Sequence, residues 1–85
     1  MELRIRETAK RKGYSLAKLA KKIDIDPTTL SRYNTGKVEA PLHKLKIIAD
    51  ALDVELSELL PVEDPYMHVI VNGEWIGIMR NSRPL

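Results

Sequence analysis

The sequence has no cysteine, and no apolar run in it is long enough to cross a bilayer. Lack of cysteine excludes disulfides and thiolate metal sites, and nothing marks an oxidising compartment. A membrane helix needs roughly 18 or more consecutive apolar residues, and no stretch approaches that length. No signal-peptide pattern opens the chain, so a cytoplasmic protein is expected. Catalytic machinery is missing as well. His43 and His68 fall on different predicted elements, without a carboxylate cluster at metal-ligand spacing, and there is no glycine-rich phosphate loop. No catalytic residue, metal site, cofactor or membrane contact is therefore expected. What remains is 85 residues, which make one small domain or a domain with a short appendage. A chain of that size buries only about 60–65% of its unfolded surface, so its stability margin is thin.

The formal charge of +2 hides a strong asymmetry. Residues 1–46 carry 12 basic and 5 acidic side chains, a balance of +7, whereas residues 47–85 carry 2 and 7, a balance of −5. A basic front half suggests a surface that meets a polyanion. Scattered solvated lysines on helices would give the same count. The five acids Asp50, Asp53, Glu55, Glu58 and Glu63 read as a solvated face.

The front half reads as short helices. Residues 1–12 lack an internal glycine or proline, and Gly13 supplies a stop. The apolar face of this first helix is thin, Ile5 and Ala9 being flanked by Thr8 and Lys12, with Leu3 only at a frayed end. Ser15 is a good N-cap for a second helix, whose Leu16, Leu19, Ala20 and Ile23 form one buried stripe. Asp24-Ile25 allows only a sharp turn. Asp26-Pro27 then opens a third helix, with Asp capping orphan N–H groups and Pro at the position where an N–H would be unpaired anyway. It runs to about Asn34 and ends at Thr35-Gly36, with Leu30 as its clearest core residue. Pro41 opens a fourth helix with Leu42, Leu45, Ile48, Ala49 and Leu52 on one face, and a fifth short helix is expected over Glu55–Leu60.

Residues 61–65, bounded by Pro61 and Pro65, read as a linker. The tail, residues 66–85, changes period. Tyr66–Val71 and Glu74–Met79 are β-rich runs flanking Asn72-Gly73, the strongest short-range hairpin signal. Two-residue closure pairs Val71 with Glu74, Ile70 with Trp75, Val69 with Ile76, His68 with Gly77 and Met67 with Ile78. A lone hairpin is marginal in water, so it must pack against something.

Two short helices joined by a tight turn form a helix-turn-helix arrangement. The run from Arg11 to Lys37 contains Lys12-Gly13, Ser15, Leu19-Ala20, Leu30-Ser31-Arg32 and Gly36-Lys37, and Ile48-Ala49-Asp50-Ala51-Leu52 follows. In this order and spacing the motifs resemble the Cro and phage-repressor (lambda-repressor-like) family of helix-turn-helix DNA-binding domains. The resemblance covers residues 1–60, about 70% of the chain. It implies a mainly α fold, a five-helix domain followed here by a C-terminal β-hairpin, with the third helix lying in the major groove of double-stranded DNA.

A helix fits that groove, its first residues reach base edges, and its N-terminus faces phosphate. On a helix starting at Pro27 the face opposite Leu30 carries Thr28, Ser31, Arg32 and Thr35. Arg32 can donate two parallel bonds to guanine O6 and N7, and a threonine offers a hydroxyl and a thymine-contacting methyl. Thr28, Ser31 and Arg32 are the candidate base contacts, with Thr29 at the rim. Arg32 could instead form a surface ion pair or brace the first helix, and Thr28 could cap the helix. Family positions that touch phosphate correspond to the Ser15–Leu16 end of the second helix, Thr35, Lys37 and Lys44.

Departures from the family pattern are specific. Pro27 and Leu16 stand where polar residues commonly contact DNA. Asp24 occupies the place of the turn glycine, and aspartate tolerates a left-handed backbone better than most residues. Ala9 and Asn34 replace an Arg–Glu pair between the first and third helices, and Thr8 replaces a large apolar residue. The first helix is expected to be the loosest element.

The resulting expectation is a DNA-binding transcriptional regulator, most simply a repressor, that binds a palindromic operator as a homodimer and so lies on the nucleoid. Val69, Ile70, Val71, Trp75, Ile76 and Ile78 are the candidate dimer interface. Either strand could pair edge to edge, the hairpins could stack around Trp75, or the hairpin could fold back on its own helices. The alternative is a DNA-binding antitoxin whose C-terminal segment binds a toxin partner.

Overall fold

The computed structural model describes residues 1–81; residues 82–85 of the expected C-terminal segment lie outside the described residues. Four helices come first: α1 (Ile5–Arg11), α2 (Leu16–Ile23), α3 (Pro27–Thr35) and α4 (Leu42–Leu52). A single 3₁₀ turn (Leu56–Leu59) and an antiparallel hairpin of β1 (Tyr66–Val71) and β2 (Glu74–Arg80) follow. The expected fifth helix is thus only this 3₁₀ turn. Glu55 provides no side-chain cap there, and Pro61 forbids extension beyond Leu60, so four residues cannot close a stable α-turn.

Each helical element contributes one fully buried large aliphatic residue to a common core, Ile5, Leu19, Leu30, Ile48 and Leu59, with Ala9 and Ala20 beside them. Tyr33 and Ile25 join them, neither marked by the sequence pattern. Leu42, expected on the buried face of α4, is 59% exposed, because it lies in the first turn, beyond the elements that cover Leu45 and Ile48.

Helices α2 and α4 stop by the same device. Asp24 and Asp53 both adopt left-handed backbone at φ 55°. The next residue's N–H then reaches back five positions, Ile25 to the Ala20 carbonyl and Val54 to the Ala49 carbonyl, each at 3.0 Å. The tolerance expected of Asp24 is used twice.

Helix α1 departs from expectation. It begins at Ile5 rather than at the start of the chain, and the residues before it are strapped rather than frayed. Leu3 is buried, its N–H donates to the Asn34 carbonyl at 2.8 Å, and the Arg4 N–H donates to the Leu59 carbonyl at 2.9 Å. The first turn of α1 has no cap from its own N-cap residue, and Asn34 supplies one by accepting the Arg6 N–H on Oδ1 at 3.0 Å. Asn34 therefore replaces the family's charged pair with a cap delivered from the end of α3. Gly36 closes α3 at φ 82°, and a Cβ there would run into the backbone of Met1.

Two side chains of α1 settle its energetics. Arg11 donates from Nη2 to Glu58 Oε2 at 2.6 Å, with both side chains largely covered. Glu58 is thus a buried ion-pair partner and not part of a solvated acidic face. Thr8 is 1% exposed, and its hydroxyl has no hydrogen-bond partner among the described residues. A buried unsatisfied hydroxyl costs about 1–3 kcal/mol, whereas an apolar group of the same shape costs nothing there. Thr8→Val should raise stability by about 1 kcal/mol, seen as a melting midpoint about 4–8 °C higher. A lower midpoint would mean that the hydroxyl is satisfied.

The hairpin closes as expected at Asn72-Gly73, both with positive φ as the favoured two-residue turn requires. Val71 faces Glu74 and Ile70 faces Trp75. Beyond that point the expected register fails. A bulge at Ile76 shifts the pairing by one, so that Val69 faces Gly77, His68 faces Ile78 and Met67 faces Met79. One extra residue in β2 has moved Ile78 to the side of Ile70 and Trp75.

A polar latch joins hairpin to helices. His68 donates from Nε2 to the Leu60 carbonyl at 2.6 Å, and Trp75 Nε1 donates to His68 Nδ1 at 3.0 Å. An indole can only donate, so Nδ1 accepts and the imidazole is the neutral Nε2–H form. The start of β2 also borders the helical part near Lys12 and Asp53–Glu55, but much of the hairpin's apolar surface is left uncovered. Seven of its large apolar side chains are 39–51% exposed, and the molecule extends over 47 × 27 × 18 Å.

Candidate nucleic-acid interface

The Asp24 turn joins α2 to α3, and each helix borders one depression in the surface. Pro27 starts α3, and the Asp26 carboxylate accepts the Thr28 N–H at 2.8 Å and the Thr29 N–H at 3.4 Å. Thr28 therefore does not cap the helix, and its exposed side chain is free of that duty. The same bonds correct the expectation that the α3 N-terminus faces phosphate. Its first-turn donors are taken by a carboxylate, which repels a phosphate.

Helix α2 differs. Ser15 Oγ accepts the Lys18 N–H at 3.1 Å, which leaves the Leu16 and Ala17 N–H groups of the first turn unpaired, with no acidic residue there. Free donors at the positive end of a helix suit a phosphate.

Thr28, Ser31, Arg32, Thr35 and Lys37, with Pro27, surround one shallow depression along the outer face of α3. Thr28, Arg32, Thr35 and Lys37 are exposed and Ser31 is half-buried. The guanidinium of Arg32 makes no ion pair among the described residues, so the expected alternative of a surface pair is not realised. The Thr35 hydroxyl donates to the Arg32 carbonyl at 3.3 Å, which ties it to the last turn. Thr29 is half-buried at the rim, as expected, and half-buried Lys44 borders neither this depression nor the next.

A second depression lies over the α2 N-terminus and brings Ser15 and Leu16 together with Gly13, Tyr14, Arg6 and Lys10. Arg6 and Lys10 were not among the sequence candidates. Their spacing of four on α1 places both on one face, and that signal was present in the sequence. Not every cation of the basic half is free in this way. Arg4 pairs with Glu7 at 3.3 Å, and Arg11 is held by Glu58. Lys22 donates to the Tyr14 hydroxyl at 2.7 Å and to the Ala51 carbonyl at 3.0 Å, pinning the end of α2 to the end of α4. Arg6 and Lys10 over the α2 N-terminus and Arg32 and Lys37 along α3 remain exposed, as do Lys12, Lys18, Lys21 and Lys46.

Among the described residues no helix is long and apolar enough to cross a membrane. A search of curated proteins finds no match. The sequence model of the helix-turn-helix family, Cro/C1 type, matches residues 5–59. That span takes in the four helices and the 3₁₀ turn and stops short of the hairpin. The family is one of DNA-binding regulatory domains rather than of enzymes. With its capped α3, left-handed Asp24 turn and free cations set on that framework, the chain belongs to the Cro/C1-type helix-turn-helix family of DNA-binding transcription regulators.

Proposed function

We propose that the protein is a sequence-specific repressor that binds a palindromic operator as a homodimer, acting in the cytoplasm on the nucleoid. The observation that carries this reading is the outer face of α3, where the exposed, unpaired Arg32 stands beside Thr28 and Ser31. With α3 in the major groove, Arg32 donates to guanine O6 and N7, while Thr28, Ser31 and the rim residue Thr29 contact neighbouring base edges. Phosphates on either side meet the Leu16 N–H and Ser15 hydroxyl at the start of α2, and Thr35, Lys37 and Lys44 beyond α3. Arg6 and Lys10 join the α2 site. Such contacts fix register and salt dependence and carry no sequence information.

One headpiece makes few phosphate contacts, and a second one reading a half-site about 34 Å away raises affinity. The hairpin is the element that joins the two copies. Its exposed apolar surface, including Val71, Ile70, Ile76 and Ile78, supports this. Trp75 is half-buried and bonded to His68 of its own chain, so stacking of hairpins around Trp75 is disfavoured.

Selection of bound sequences from a random duplex library by the full chain tests the reading. The expected outcome is an inverted repeat with half-site centres about one helical turn apart. Enrichment of a single unrepeated site would overturn the dimer, and no enrichment would overturn specific recognition.

A further inference from the structure

The geometry points to a continuous four-stranded antiparallel sheet in the dimer, formed by β1 pairing with β1 of a second copy across a two-fold axis at Val69. This rests on the hairpin-dimer reading above and specifies which edge and which register carry it.

A two-stranded sheet has two outer edges, and the two differ here. β2 carries the bulge at Ile76, with Gly77 after it, and its first residues, Glu74 to Ile76, border a crevice walled by Lys12 and Asp53–Glu55 of the helical part. A bulge breaks the even spacing of outward donors and acceptors and blunts an edge. On β1 the side chain of His68 likewise borders a crevice, with Leu3, Pro61 and Val62, but the strand itself carries no break in its pairing. Its six residues, Tyr-Met-His-Val-Ile-Val, include no lysine, no other formal charge, no proline and no bulged residue.

Main-chain directions follow from the turn. Across a two-residue turn, Val71 and Glu74 exchange hydrogen bonds, so Val71, Val69 and Met67 direct their N–H and C=O groups to β2. His68 and Ile70 therefore direct theirs outward. Among the described residues no other main-chain group bonds the N–H of either, whereas the Tyr66 N–H is already taken by the Glu63 carbonyl at 2.9 Å. The available outward groups are thus those of two residues, His68 and Ile70.

Two copies of such an edge fit each other in one way. His68 of one chain exchanges both hydrogen bonds with Ile70 of the other, and Ile70 does so with His68 by symmetry. Val69 then lies opposite its own copy as a non-hydrogen-bonded pair on the axis, and Met67 lies opposite Val71. Directly opposed apolar and β-branched pairs stabilise a sheet, and no like charges meet. The occupant is a second copy because the edge is self-complementary and because the uncovered area suits a dimer. Seven side chains at 39–51% exposure, divided between the two faces of the hairpin, leave on the order of 600 Å² of apolar surface per chain, large for a monomer, and a sheet continued through β1 extends both faces so that each can be shared by the two copies.

Absence of native cysteine makes the register directly readable. A non-hydrogen-bonded pair holds its Cα atoms about 4.5 Å apart, within the range a disulfide spans. In the full chain, Val69→Cys should give a covalent dimer as the main species on a non-reducing gel after mild oxidation, while Ile76→Cys stays monomeric. Mixing Met67→Cys with Val71→Cys chains should cross-link strongly, and neither alone should. Linkage through Ile76→Cys, or none through Val69→Cys and the Met67/Val71 mixture, overturns the β1 pairing. Sedimentation of the unsubstituted chain separates the two levels. A dimer without the Val69 link means that another part of the hairpin joins the copies, whereas a monomer at tens of micromolar overturns the hairpin dimer itself.

Discussion

Arg11→Met should destabilise the fold by about 3–5 kcal/mol, because it leaves the Glu58 carboxylate covered and without its partner. A domain of this size has a total stability near 5–10 kcal/mol, so the change removes a large part of it. Glu58→Gln should cost less, about 1–2 kcal/mol. The stranded group is then a guanidinium on a long, more exposed stem, which can turn its head to water. Arg11→Met with Glu58→Leu should recover most of the loss, since a well-packed apolar pair often matches a buried ion pair. Denaturant midpoints of the three variants test this ordering. Equal costs for the two single changes, or a double variant as weak as Arg11→Met, would show that something other than the stranded carboxylate sets the cost.

The other large effect is on recognition. Arg32→Ala should lower affinity for the selected operator by about 1–3 kcal/mol per half-site, about 5- to 150-fold, and by the square of that for a dimer. Affinity for random duplex should change by only a few-fold, since one phosphate-range charge is lost. Lys37→Ala should weaken both DNAs alike and flatten the salt dependence by about one ion per chain. Gel shifts at two salt concentrations on both DNAs distinguish the cases. Equal losses on operator and random DNA for Arg32→Ala would refute base readout by this side chain.

Much of the architecture was legible because its signals are local. The Ser15 and Asp26 caps, the left-handed Asp24 turn and the Asn72-Gly73 hairpin depend on neighbouring residues, and all lie where the sequence places them. Features that depend on distant partners were not legible. Nothing near Glu58 in sequence marks it as the partner of Arg11, and nothing near Asn34 marks it as the cap of α1. The bulge at Ile76 escaped because alternation along β2 fits either register until packing decides. For the candidate site, the polar face of α3 was readable from helical spacing alone. The same Asp26 that signals the start of α3 also places a carboxylate on its first-turn donors, a consequence that helical spacing alone does not carry.

The dependence of α1 on later residues also sets an order of events in time. Its first turn is completed by a residue 28 positions downstream, and its buried cation by one 47 positions downstream. On a ribosome adding about 5–20 residues per second, the segment from Asn34 to Glu58 takes roughly 1–5 s to emerge. During that interval α2 and α3 can already form their turn from local signals, while α1, made first, lacks what holds it. Helix α1 therefore cannot complete its contacts until the segment after α4 has emerged, whereas the α2–α3 turn needs nothing beyond its own residues.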